Sequence, residues 1–127
     1  MNKKNVKPTV TLSCLPHVLE QKELEKIHNS IVEAAKDVPE FGIRDEDSMI
    51  NLFNFDMMEY GLGREIVVKG EMFLESEKTT DEKWDLLAFR IGLAVKDFFK
   101  ESRVQCTFEG FNGHKRGIWV SPAEKEA

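Results

Sequence analysis

One spacing of apolar residues occurs twice in this chain. Leu24, Ile27, Ile31, Ala34 or Ala35, and Val38 recur about 60 positions later as Trp84, Leu87, Ile91, Ala94 and Phe98. Steps of three and four residues keep side chains on one side of an α-helix, so two amphipathic helices are predicted. The first spans about Leu19 to Val38. Glu20, Lys22, Glu23, Glu25, Lys26 and Glu33 fall mostly on its other side, and Pro39 and Gly42 close it. The second opens at Thr79, Thr80 and Asp81, where Thr79 and Glu82 have the spacing of a capping box.

The segments around the helices also repeat. Pro8–Leu15 alternates polar and apolar residues rich in β-branched types, and Pro16 ends it, because proline cannot continue a ladder. Ser48–Phe55, Glu65–Leu74 and Arg103–Phe111 read as further strands, and Ile118–Val120 as a short final one. Each half is then a β-α-β unit, whose two strands run parallel because the helix carries the chain back. The expected fold class is α+β: two tandem β-α-β units forming a four-stranded mixed sheet with both helices on one face. Residues 1–7 form a flexible lead, 8–120 a single domain and 121–127 a polar tail. Apolar residues occur at both parities of the third strand (Val67 and Phe73, Val68 and Met72), which predicts that a second subunit covers the open sheet face.

Charge and cysteine usage narrow the function classes. The net charge of −5 argues against a nucleic-acid partner, which selects a basic surface. Apolar runs are far shorter than the ~20 residues of a spanning helix, so no membrane partner is expected. Met1–Lys7 is polar and basic with no apolar run behind it, unlike a secretory signal. Cys14 and Cys106 each sit in an apolar run, which predicts buried free thiols in a reducing, cytoplasmic compartment. His17, His28 and His114 are isolated and lack metal-ligand spacing. Gly61-Leu-Gly63 lacks the third glycine and helix start of a dinucleotide loop.

Four stretches, in this order and spacing, resemble the tautomerase superfamily. Pro8-Thr-Val-Thr-Leu-Ser-Cys14 is similar to its opening strand, and Phe41-Gly-Ile-Arg44 to the segment carrying an active-site arginine in 5-carboxymethyl-2-hydroxymuconate isomerases. Phe73–Thr80 resembles the loop after the third strand in that branch, and Gly117-Ile-Trp119 the terminal Gly-x-Trp of macrophage migration inhibitory factor. The resemblance implies a homotrimer, no cofactor, and an isomerase acting on a small unsaturated keto or enol carboxylic acid.

It also implies roles. Pro8 would be the catalytic base, since a secondary amine in an apolar pocket can take a proton beside a carbonyl near neutral pH. Arg44 would bind the substrate carboxylate with its planar fork. As encoded, Pro8 follows Lys7 and its nitrogen is an amide, so only cleavage after Lys7 gives the amine. Lys69, His17 and Trp119 are further candidates for substrate binding. Each has a plainer reading: Pro8 as the start of an edge strand, Arg44 as a surface partner of Asp45, Glu46 or Asp47, Lys69 and His17 as solvated positions, Trp119 and Phe111 as core or interface aromatics. The alternative function is a non-catalytic protein of the same fold, or a ferredoxin-like ligand-binding or interaction module.

Overall fold

The computed structural model describes residues 6–56 and 64–111. Strand β1 (Thr9–Leu15) leads into helix α1 (Gln21–Lys36), then strand β2 (Ile50–Phe55). Strand β3 (Glu65–Leu74), helix α2 (Asp81–Phe98) and strand β4 (Arg103–Phe111) repeat the order. The sheet order is β2-β1-β3-β4. Within each unit the strands are parallel, and the units meet along an antiparallel β1–β3 ladder that sets Thr9 opposite Glu71 and Thr11 opposite Lys69. The expected fold class is what forms.

Local chemistry explains the ends of the elements. Glu20 caps α1, its N–H donating to Glu23 Oε1 at 3.0 Å. The chain leaves α1 through a 3-10 turn, Pro39–Phe41, and Gly42 stops that turn with φ 77°, a left-handed conformation that glycine adopts without a Cβ penalty. At α2 the cap falls one residue later than the spacing predicts. Thr80 accepts from Lys83 N–H, while the Thr79 hydroxyl is spent on the preceding turn, donating to Ser76 O at 3.1 Å.

One core lies between the helices and the sheet. Val10, Leu12, Leu15, Ile66, Val68 and Phe73 from the strands meet Ile27, Ile31, Ala35, Leu87, Ile91 and Val95 from the helices. The α2 stripe differs from the expectation at its end. Leu87, Ile91 and Ala94 are buried as expected, with Val95 beside them, but the stripe ends on Phe99 (6% exposed) and leaves Phe98 at 40%. Phe99 reaches the core because it has already left the helix with φ −135°.

The two halves share an irregularity that no glycine announces. Pairing shifts register between Leu12 and Leu15 in β1 and between Gly70 and Phe73 in β3. Cys14 (φ 67°) and Met72 (φ 64°) take the left-handed conformation at these bulges. The bulge in β3 corrects the parity argument drawn from the sequence. Ile66, Val68 and Gly70 face the helices, and the extra residue brings Phe73 onto that same face, where it is fully buried. The opposite face carries Thr9, Thr11, Lys69, Glu71, Thr107 and Glu109, with apolar exposure at Ile50 (43%) and Leu52 (48%) on the β2 edge. Phe73 is therefore no evidence for a covered outer face.

Candidate functional site

The sheet end where β1 and β2 begin collects most of the chemistry. Pro8 sits half-buried just ahead of β1, in the alternation of Val10 and Leu12, and its carbonyl accepts the Ile50 N–H at 2.9 Å. β3 and β4 end here, and their aromatic residues close the core beneath. Phe41 and Trp84 pack edge to face at 4.6 Å, with Phe73 6.0 Å from Phe41 and 5.4 Å from Phe108. Such pairs stabilise the packing beyond their buried area. The Phe108 ring lies directly over Gly70, where any Cβ would stand 2.1 Å from it, so the flat residue on β3 is what admits the ring.

Arg44 arrives at the same end on the connection from α1 to β2. Ile43 before it and Met49 after it are buried, and the intervening turn hydrogen-bonds to itself. Arg44 N and Asp45 N donate to Ser48 Oγ at 3.0 and 3.1 Å, Asp47 N donates to Asp45 Oδ1, and Ser48 N to Asp45 O at 2.9 Å. The Arg44 side chain is exposed, and no ion pair joins it to Asp45, Glu46 or Asp47 among the described residues. Its guanidinium is open to an incoming anion.

The remaining candidates lie elsewhere. Lys69 is exposed on the outer sheet face, opposite Thr11 and Thr107. His17 follows β1 at its far end, edge-on to Phe99 at 6.4 Å, beside a small groove of about 200 Å³ with Lys26 and Glu23 on its walls. A strand of this length places it about 20 Å from Pro8 at ~3.3 Å per residue. Trp119, Gly61-Leu-Gly63, His114 and the expected strand Ile118–Val120 lie outside the described residues.

One pair escaped the sequence reading. His28 on α1 and Asn51 on β2 are bonded at 2.7 Å, and the other nitrogen of His28 meets the Glu46 carbonyl at 2.9 Å. They line an open groove of about 630 Å³ between α1 and the β2 edge. The available signal was an asparagine in β2 at the parity of Phe53 and Phe55, a core-facing position where a polar group needs a partner.

The matching groove in the second half, of about 430 Å³, runs between α2 and the β4 edge and is apolar, with Phe89, Leu93, Val104 and Cys106 on its walls. Both cysteines are free and half-buried rather than fully buried. Burial pushes the Cys106 thiol up to about 11, so near neutral pH it is protonated and a poor nucleophile. Above pH ~9 an unfolded cysteine loses its proton while the folded one keeps it, so the folded state binds more protons and stability falls with rising pH. Denaturant titrations at pH 8 and pH 10.5 are expected to show a smaller alkaline loss for Cys106→Ala than for the parent chain. Equal losses would show the thiol to be solvated.

With this geometry established, the chain can be set beside known proteins. No family model matches it, and no curated protein does. Solved structures do. A wild-type fused 4-OT asymmetric trimer superposes with TM-score 0.57 at 15% identity, over 80% of this chain and 86% of that one. Malonate semialdehyde decarboxylase gives 0.58 at 12% identity over 87% and 92% of the two chains. N1, a member of the cis-3-chloroacrylic acid dehalogenase family, gives 0.62 at 12% identity over 89% and 83%. All three are tautomerase superfamily proteins. This chain has their fold.

Proposed function

We propose that this protein is an isomerase or tautomerase of small unsaturated keto or enol carboxylic acids, of the kind handled by 5-carboxymethyl-2-hydroxymuconate isomerase. Pro8 is the base once the bond after Lys7 is cut, and Arg44 is the carboxylate anchor. The observation that carries the reading is their shared placement. Pro8 heads β1 at the same sheet end that receives the Arg44 turn, and the Phe41–Trp84 pair lies in the core at that end. A base beside apolar surface and a free guanidinium are the two parts a proton shuttle on a carboxylate substrate requires. The test is to begin the chain at Met-Pro8, let the methionine be removed in the cell, and follow enol–keto conversion of phenylpyruvate. Activity that appears and then weakens on Arg44→Ala supports the reading.

A second reading is favoured by the Lys7–Pro8 peptide bond itself. With its nitrogen in an amide, the uncut chain is a carboxylate-binding protein that keeps the fold without the reaction. Lys69 and His17 are secondary contacts that only a neighbouring subunit could bring to the Pro8 end.

Assembly as a homotrimer belongs to the same proposal. The fused 4-OT is an asymmetric trimer, and Ile50 and Leu52 give the β2 edge an apolar strip suited to a second subunit. Sedimentation at micromolar concentration is expected to give three times the chain mass. A stable monomer there would remove the trimer from the proposal.

A further inference from the structure

Glu46 lies within the turn that carries Arg44, and its carbonyl oxygen accepts from His28 Nε2 across 18 residues of sequence. Asn51 Nδ2 donates to the other ring nitrogen, Nδ1. This pair of bonds fixes the tautomer, with the proton on Nε2, and holds the ring from both sides. His28 thereby links three elements: helix α1, strand β2 and the turn between them. The bonds internal to the turn set its shape but not its place. Phe41, Ile43 and Met49 anchor the flanks by burial, whereas the middle, where Glu46 is exposed, is tied down by the His28 bond among the described residues.

Asn51 makes this link at a cost. Its Oδ1 is buried without a hydrogen-bond partner, a state that native structures tolerate rarely and usually where the group serves a purpose. Leucine at position 51 would continue the apolar run of Phe53 and Phe55 and remove the orphan oxygen, but it would take away the donor to His28 Nδ1. Asparagine there gives the fold no packing advantage; it gives the imidazole a donor.

We propose that His28, held by Asn51, is a positioning residue that sets the Arg44 turn and through it the affinity of the chain for carboxylates. The inference rests on the reading of Arg44 as the anchor. A bidentate fork tolerates little displacement, and a shift of about 1 Å can cost as much as 100-fold at a reacting centre. Because the flanks of the turn stay anchored, loss of the staple loosens the turn rather than unfolding it, so a smaller effect follows.

The test uses the full chain with phenylpyruvate and its methyl ester as probes, binding read by NMR titration, together with amide exchange at Asp47 and Ser48. Arg44→Ala is expected to weaken phenylpyruvate binding at least about tenfold and to leave the ester within about twofold. His28→Leu is expected to weaken phenylpyruvate about three- to tenfold, spare the ester and speed exchange at both amides. His28→Gln, which can both donate to Glu46 O and accept from Asn51, is expected to restore all three readouts. If Arg44→Ala weakens binding and His28→Leu changes neither affinity nor exchange, the staple is overturned and the anchor stands. An equal loss for acid and ester in His28→Leu also overturns it, because the residue would then be only structural. If Arg44→Ala itself leaves phenylpyruvate affinity unchanged, the anchor reading fails and this inference fails with it.

Discussion

The uncut protein is expected to convert phenylpyruvate no faster than buffer, and the chain begun at Pro8 to do so on the order of 100- to 10,000-fold faster. That range is what a positioned general base contributes. The contrast follows from a single bond. In the full chain the Pro8 nitrogen is an amide, its lone pair delocalised into the Lys7 carbonyl, and it accepts no proton. After cleavage it is a secondary amine at the head of β1. Little of the fold depends on the bond that is lost. The Pro8 carbonyl keeps its hydrogen bond from Ile50, β1 begins only at Thr9, and among the described residues the hydrogen bond sacrificed is a long one of 3.5 Å from Thr9 Oγ1 to Lys7 O. Thermal melts of the two chains are accordingly expected to agree closely, which separates a gain of chemistry from a change of fold. Arg44→Ala in the shortened chain should raise KM for the acid more than for its ester if the guanidinium is the proposed carboxylate anchor. Full activity in the uncut chain would mean that another group is the base. Silence in both chains, with carboxylate binding retained, would favour the binding role.

How much of this was legible in the sequence depended on the range of the signal. Helix positions and strand limits come from periodicity and end residues, both local, and Leu87, Ile91, Glu65–Leu74 and Arg103–Phe111 stand where the spacing puts them. The bulges were not legible. A left-handed residue in a strand is normally announced by glycine, and here it is Cys14 and Met72. One unannounced extra residue reversed the apparent facing of Phe73 and removed it, though not Val67, from the sequence argument for a covered sheet face. Phe98 and Phe99 were exchanged for a related reason: which of two adjacent aromatics is buried depends on where the helix stops, and no proline or glycine marks that stop.

The candidate site divides along the same line. Pro8 and Arg44 were candidates through the family resemblance of their segments, and the structure puts both at one sheet end. The bond between His28 and Asn51 joins residues 23 apart on different elements, so no pattern in either segment could reveal it. Lys69 and His17 carried suitable chemistry in sequence, yet one lies on the outer sheet face and the other beyond the far end of β1. Charge type is visible in a sequence. Convergence is not.

Ile91→Ala is expected to lower the unfolding free energy by about 2–5 kcal/mol, the range for removing most of a branched side chain from a packed interior. Ile91 is the middle of the fully buried series Leu87, Ile91 and Val95, pressed between α1 and the sheet, with no exposed flank from which water could refill the space. Its burial has no polar component, so the loss comes from the transfer of methyl and methylene groups and the cavity they leave. Phe98→Ala is the control. Phenylalanine is the larger side chain and belongs to the same periodic series in sequence, yet at 40% exposure it is expected to cost less than Ile91→Ala. Small-domain stabilities of about 5–15 kcal/mol make the first loss easy to resolve by denaturant titration. All chains must be compared at one protein concentration, because dissociation of an oligomer would add to the apparent stability. A loss below about 1 kcal/mol for Ile91→Ala would show that the site collapses or that the α2 face is not buried as described. A loss for Phe98→Ala exceeding that for Ile91→Ala would place Phe98 in an interface, where a second subunit covers the end of the helix.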